Sequence, residues 1–164
     1  MTERFSPVVA ETLRAGGWQP GRRDLQLAQQ WGKAVQSYVS PGGWRHTVVQ
    51  PAIDAYAEFG QVTVHPAGPG AQVAPSAFVI DPLRMLHAVQ VTATLASDLG
   101  VPLTPLGEEH DGVGLITIDA FGRVFVADHT AEWFLGATLD EAFEVLIRGL
   151  LPKRIRTDGT WSTG

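Results

Sequence analysis

The chain contains no cysteine and few charged residues. None of its 164 residues is Cys, and 18% are charged, against about 25% in an average globular protein. Without cysteine the chain cannot form disulfides, catalytic thiolates, thiolate-bound zinc or iron–sulfur clusters. The low charge content, together with 18 glycines and 11 prolines, argues against a coiled coil or a disordered acidic tail. We therefore expect a folded protein of a reducing compartment.

Long apolar runs are absent as well. The most apolar stretch, residues 83–99, is interrupted by Arg84 and Asp98 among other polar residues and does not have the composition of a membrane span. Glu3 and Arg4 stand near the start, where a signal peptide has a basic segment followed by an apolar core. The sequence therefore predicts a cytoplasmic protein that does not contact membranes.

Motifs of the common enzyme classes are also missing. No serine lies in the GxSxG elbow of hydrolases, and no pair of histidines forms the HExxH motif. Gly112 and Gly114 lack the third glycine of a dinucleotide-binding loop and precede a strand pattern rather than a helix. We therefore expect no catalytic residue, no metal and no cofactor.

The length is sufficient for one hydrophobic core. A chain of this size buries about 70% of the surface that its unfolded form exposes. No internal repeat or low-complexity linker divides the sequence. We expect one domain over residues 1–152 and a flexible C-terminal tail over residues 153–164.

Start and stop signals predict five helices, interspersed with strands. The helices begin near Ser6, Asp24, Val49, Asp81 and Thr138 and end near Gly16, Pro41, Gly60, Gly100 and Gly149. The helix after Asp81 is predicted to be long and continuous. Residues 61–65 and 77–80 have strand patterns, and residues 115–126 predict a β-hairpin. Residues 101–112 contain two prolines and no regular period, which predicts an exposed loop. The order of elements indicates the α+β class.

The net charge of -5 conceals an uneven distribution. Residues 54–144 contain thirteen acidic side chains and two arginines, whereas the segments before and after them are each positive. Such an acidic field repels nucleic acid and anionic lipid and accelerates the encounter with a basic protein. The more ordinary interpretation is solubility, with ion pairs between the acidic middle of the chain and its basic ends.

Six acids of this middle segment form the predicted partner-binding surface. They lie in the 101–112 loop, in the hairpin turn and just beyond the hairpin: Glu108, Glu109, Asp111, Asp119, Asp128 and Glu132. The run 108–111 also contains His110, and with a distant histidine it could bind a metal ion or supply a general base. A solvated turn has the same composition and is the commoner case.

An ordered series of short motifs resembles the third family of SUKH immunity proteins. The motifs are Phe5-Ser6, Val8-Val9, Ala15 to Arg22, Glu58-Phe59-Gly60, Phe78 to Pro82, Leu99-Gly100, Pro105 to Glu108, Ile118 to Val124, Leu135-Gly136, Glu141-Ala142 and Leu146 to Gly149. The resemblance covers about residues 5–150. The chain departs from the family at Gln61 and Val62, where Gly and Leu are usual, and in the additional glycine of Gly16-Gly17.

The resemblance implies both a fold and a function. The implied fold is a single α+β domain with a central, mostly antiparallel or mixed sheet flanked by about five helices. The implied function is that of a cytoplasmic bacterial antidote, which binds and blocks a cognate toxin of a polymorphic toxin system, often a nuclease or a nucleic-acid deaminase. Two other classes stay open at this point: a regulatory or scaffold module that binds an endogenous protein, and a small metal- or ligand-binding enzyme.

Overall fold

The computed structural model describes residues 3–66, 68–110, 112–128 and 130–162, which form one sheet and five α-helices. The helices are α1 (Pro7–Ala15), α2 (Leu25–Ser37), α3 (Gln50–Phe59), α4 (Val89–Leu99) and α5 (Leu139–Arg148). The strands are β1 (Thr63–Val64), β2 (Phe78–Val79), β3 (Leu103–Glu109), β4 (Gly114–Asp119), β5 (Val124–Ala127), β6 (Glu132–Gly136) and β7 (Lys153–Arg154). The predicted α+β class with about five helices is confirmed. Within the described ranges, every helix is too short or too polar to span a bilayer.

Short polar and glycine signals set the helix ends, as predicted. The Asp24 side chain caps α2 by accepting from the backbone N–H of Leu27 at 3.0 Å. Thr138 caps α5 in the same way, accepting from the backbone N–H of Glu141 at 3.2 Å. Gly149 ends α5 with a φ of 70°, a left-handed conformation that glycine adopts without a steric penalty.

The segment after Asp81 departs from the prediction of one long helix. Pro82–Ala88 is a 3-10 helix, and Met85 leaves the helical conformation with a φ of -120°. The Asp81 side chain accepts from the backbone N–H of Leu83 at 3.0 Å and begins this tighter turn. The Met85 side chain is buried at this bend, where the chain changes direction before α4 begins at Val89.

The seven strands form an antiparallel meander in which each strand pairs with its neighbours along the chain. Glu109, at the end of β3, pairs with Gly114 at the start of β4. Leu115 pairs with Ala127 at the end of β5, and Ala127 pairs with Glu132 at the start of β6. The end of β3, the start of β4, the end of β5 and the start of β6 therefore meet at one end of the sheet.

Strand β3 occupies the place of the exposed loop predicted for residues 101–112, so that prediction was wrong. The strand is almost entirely buried, because β2 and β4 pair with its two edges and α3 and α4 both contact it. A β-bulge between Pro105 and Gly107 interrupts the alternation that would have marked it as a strand. Pro105 has no N–H to donate, which a bulge tolerates, and its carbonyl accepts from the Tyr56 hydroxyl at 2.6 Å.

Apolar side chains pack on both faces of the sheet. The larger core lies under α1, α3 and α5 and includes Ile116 and Phe143. The Phe143 ring contacts Phe59 and Phe78, with centroids 4.8 and 5.5 Å apart. The smaller core lies under α4 and includes Phe125. Both faces of the sheet are thus covered.

Residues 153–162 pack against the sheet, although the sequence pattern predicts a flexible tail there. Lys153–Arg154 pairs with β6 as the edge strand β7, and Ile155 is buried. The Trp161 ring stacks on Phe134, with centroids 4.6 Å apart. These apolar side chains are isolated within a polar stretch, so no period in the sequence marks their contact with the smaller core.

Candidate functional site

The antiparallel register separates the six predicted acids. Four of them lie at the end of the sheet where β3 and β5 finish; these four, the acidic end, are Glu108, Glu109, Asp128 and Glu132. Asp119 is the last residue of β4 and lies at the opposite end. Asp111 falls outside the residues that the structure describes. The sheet therefore places four of the six acids at one end, with Glu109 and Asp128 lining one cavity and Glu108 lining another.

Glu108 carries a counter-charge within the protein. Its carboxylate accepts from Arg84 Nη1 at 2.9 Å, and Arg84 also contacts Asp81 at 3.5 Å. The Arg84 side chain is more than half exposed, whereas the Glu108 side chain is 14% exposed, so the carboxylate forms the inner side of the pair. Glu132, at the start of β6, is half-buried.

Glu109 is unusual in the acidic end because it is only 9% exposed. Its neighbour across the ladder is Gly114, where a Cβ would lie 2.9 Å from Glu109 Oε1, so the glycine leaves room for the carboxylate. Burial raises the pKa of Glu109; a hydrogen bond from Ser76 and the charge of His110 oppose this, and Asp128 adds to it. The carboxylate is therefore held where its charge is poorly solvated.

A cavity of about 250 Å³ lies beside Glu109. It is lined by the acidic end, by the C-terminal half of α5 and by the loop 68–77 that comes before β2. Asp128 and Trp133 share its lining with Glu109. The Trp133 Nε1–H donates to Asp128 Oδ2 at 3.2 Å, which fixes the indole against the cavity. The backbone N–H of Ser76 donates to the Leu146 carbonyl at 2.8 Å and joins the loop to α5.

No local sequence pattern marks most of these cavity residues. Ser76 and Leu151 are distant from Glu109 in the sequence and reach the cavity only because α5 packs across the sheet. Glu109 and Asp128 were marked by their charge, and Trp133 adds a further signal, because a tryptophan beside a turn is typical of a core edge or an interface anchor.

Asp119 is buried rather than presented to a partner, which corrects its place in the predicted surface. Its side chain is fully inaccessible and accepts from the backbone N–H groups of Phe121 and Arg123, both at 2.9 Å. Arg123 Nε donates to its second oxygen at 2.6 Å. Asp119 thus orders the β4–β5 turn, at whose tip Phe121 is 76% exposed.

Three acids of the middle segment form ion pairs with the basic ends of the chain. Arg4 contacts Glu58 at 2.6 Å and Asp140 at 2.7 Å, and it thereby joins the N-terminus to α3 and α5. Arg148 lies 3.6 Å from Glu144. The ordinary interpretation of the charge distribution therefore accounts for several acids of the segment, whereas Glu109, Asp128 and Glu132 are not among them.

A metal-dependent site would require Glu108, His110 and a second histidine to converge. Among the described residues, no three His, Asp or Glu side chains lie close enough to hold a metal ion. His46 lies apart, on a second cavity of about 440 Å³ beside α4. Its Nε2 is 2.9 Å from the Leu86 carbonyl oxygen, and burial lowers its pKa, which favours the neutral imidazole.

The chain as a whole matches a known family. The family model described as SUKH-3 immunity protein matches residues 5–149 of the 164. The chain belongs to the SUKH-3 immunity protein family. Membership assigns an immunity role and implies that the partner is a cognate toxin protein. Neither a curated protein nor a solved structure matches this immunity protein.

Two of the motifs that carried the resemblance have structural roles in this SUKH-3 immunity protein. Pro105–Glu108 contains the bulge of β3, and Ile118–Val124 contains the turn that Asp119 orders. Both motifs shape the sheet. The cavity beside Glu109 also includes residues beyond the matched range, such as Leu151.

Proposed function

We propose that this SUKH-3 immunity protein neutralises a toxin that acts on nucleic acid, either a nuclease or a nucleic-acid deaminase, by covering its basic substrate-binding surface. The acidic end supplies the contact. The observation that carries the proposal is the register of the meander, which collects four carboxylates at one end of the sheet. A toxin surface that binds a phosphate backbone must be basic, and a group of carboxylates is complementary to it.

The surrounding charges support a defined orientation of the toxin. Arg84 is paired with Glu108 and so adds little positive field. Lys153 and Arg154 of β7 lie beside β6, at the edge of the sheet. A basic toxin surface is repelled from that edge and attracted to the acidic end, since like charges in contact oppose binding.

Exposed apolar side chains near the acidic end add the area that a stable complex needs. A standard interface buries about 800 Å² on each partner and contains an apolar centre. Val113, in the β3–β4 turn, is 49% exposed, and Leu151, at the cavity, is 63% exposed. These side chains supply apolar contact where carboxylates alone would give only electrostatic attraction.

The association rate of the complex is expected to fall at least about tenfold between about 0.05 M and 0.5 M NaCl, because salt screens the attraction that guides the encounter. The measurement is stopped-flow or surface-plasmon kinetics with the purified cognate toxin domain. Co-expression of the two proteins in cells reports neutralisation in parallel.

A pair of double variants tests which surface of the protein attracts the toxin. Glu108→Gln with Glu132→Gln is expected to slow association at low salt more than Glu11→Gln with Asp54→Asn, which removes two exposed acids from α1 and α3. An association rate that does not change with salt would contradict electrostatic capture. Equal slowing by both pairs would show that net charge, rather than the acidic end, attracts the toxin.

A further inference from the structure

We infer that the cavity beside Glu109 is a receptor for one lysine or arginine side chain of the toxin. The inference rests on the proposed function and deepens it, because it names the chemical group that the acidic end recognises. Four features of the cavity lead to it: its floor, its wall, its size and its aromatic side.

The floor of the cavity is anionic and structurally fixed. Glu109 is nine-tenths buried there. Asp128 is held by hydrogen bonds from the backbone N–H groups of Thr130 and Ala131 at 2.8 and 2.9 Å and from the Trp133 indole. Burial opposes ionisation of Asp128, but these hydrogen bonds and one from the Thr130 hydroxyl together lower its pKa. One carboxylate is therefore firmly ionised beside another that is poorly solvated.

The wall of the cavity is apolar. Its apolar lining includes Val73, Leu135, Val145, Leu146, Leu150 and Leu151. Lysine and arginine bury an aliphatic stem along such a wall while their charged head reaches a polar group. An acidic side chain would be repelled by the anionic floor, and a neutral polar side chain would leave the floor without a counter-charge. The gradient from exposed Leu151 inward to buried Glu109 therefore fits a long cationic side chain.

The size and the aromatic side of the cavity also favour a cationic side chain. A volume of about 250 Å³ is below the roughly 300–1,000 Å³ of pockets that hold small-molecule ligands. Trp133 lines one side, and an indole face attracts ammonium and guanidinium groups. The adjoining groove beyond Leu151 is basic, with Lys153, Arg154 and Arg156, so an anionic group of the partner is drawn there instead.

A cation in this cavity resolves an unfavourable arrangement. Burial removes hydration from Glu109, which the Ser76 hydrogen bond and the charge of His110 offset only in part, since the pKa remains raised; a charged donor that reaches a buried carboxylate stabilises it. Two acids in one small site also repel each other, as the effect of Asp128 on Glu109 indicates. The partner's ammonium or guanidinium group removes both penalties, and the free protein retains them until the toxin arrives.

Replacing Glu109 with glutamine in the full-length protein is expected to raise the Kd for the toxin domain at least about tenfold, mainly through faster dissociation. The matched control is Glu11→Gln, the same chemical change at an exposed position of α1, for which a change of less than about threefold is expected from lost long-range attraction. Kinetics on the purified toxin domain give both values.

A stability measurement separates recognition from a structural role. Burial raises the pKa of Glu109 in the folded protein, so the folded state binds the proton more tightly than the unfolded state does. Stability contributed by this group is present at acidic pH and is lost as pH rises through the folded pKa. The groups that influence this titration are Ser76, His110 and Asp128. Glu109→Gln is therefore expected to melt no lower than wild type at neutral pH, whereas a structural role requires it to melt lower.

A second measurement needs no toxin. Titration of the ¹⁵N-labelled protein with ethylguanidinium chloride, at constant ionic strength, is expected to shift the Trp133 indole resonance in wild type and Glu11→Gln but not in Glu109→Gln. The indole N–H reports on the cavity because it donates to Asp128.

The outcomes distinguish this inference from the proposed function. Wild-type affinity in Glu109→Gln overturns the receptor and leaves the proposed function intact. Weaker binding in Phe121→Ala but not in Glu109→Gln also overturns it, because it places the toxin at the opposite end of the sheet. If wild type does not bind the toxin domain, the proposed function fails, and the ethylguanidinium titration then tests the cavity alone. An unmoved Trp133 resonance overturns the receptor, and a shift that requires Glu109 supports a site for a cationic group.

Discussion

Replacing Phe143 with alanine is expected to lower the free energy of unfolding by about 3–5 kcal/mol. Phe143 is fully buried, and its ring contacts Phe5, Phe59 and Phe78, with centroids 6.4, 4.8 and 5.5 Å away. Alanine would leave a cavity among groups that belong to α3, β2 and the N-terminus and cannot all move to fill it. Urea unfolding followed by tryptophan fluorescence measures the change.

The matched control for this prediction is the same substitution at Phe121. That side chain is 76% exposed at the β4–β5 turn, so Phe121→Ala is expected to change the free energy of unfolding by no more than about 0.5 kcal/mol. Equal losses in the two variants would contradict the packing of α5 against the sheet. The comparison also concerns the site, because the C-terminal half of α5 forms one side of the cavity beside Glu109.

The helices were predictable because their signals are local. Asp24, Thr138 and Gly149 act on backbone groups within a few residues, and the structure shows those contacts. The long helix expected after Asp81 was not formed, because the chain bends at Met85, whose side chain is buried. A tertiary contact of this kind has no counterpart in the local period.

The sequence did not predict β3 and β7, for different physical reasons. β3 was hidden because Pro105 and the adjoining bulge interrupt its alternation and because both of its faces are covered, which removes the polar half of the pattern. β7 was hidden because it is short and mostly polar. Its place is set by pairing with β6 and by Ile155 and Trp161, which pack on the smaller core.

The candidate site was predictable in composition but not in geometry. The sequence places many acids in the middle of the chain, and the register then separates Asp119 from Glu109 and Asp128. Whether an acid is buried depends on elements that are distant in sequence, as Ser76 and α5 are from Glu109. The charge pattern is therefore the basis for the proposed class of partner, and the fold determines which carboxylates lie at the acidic end.

Replacing Asp119 with alanine is expected to lower the free energy of unfolding by about 3 kcal/mol. The side chain is fully buried and accepts three hydrogen bonds, from the backbone N–H groups of Phe121 and Arg123 and from Arg123 Nε. Alanine would leave these donors without their acceptor and the largely covered Arg123 guanidinium without its partner. Urea unfolding gives the loss, and hydrogen exchange is expected to accelerate at the Phe121 and Arg123 amides.

Asp158 supplies the control, because its side chain accepts from the backbone N–H of Thr160 at 3.0 Å in a similar short turn but is exposed. Asp158→Ala is expected to shift the unfolding midpoint much less than Asp119→Ala. If the loss of stability in Asp119→Ala reflects an uncompensated charge on Arg123, adding Arg123→Met should recover part of the free energy of unfolding, since both charged groups are then removed. Strictly additive losses would instead assign the effect to the two turn amides. In either case Asp119 acts on stability and on the presentation of Phe121, which separates its role from that of the carboxylates at the acidic end.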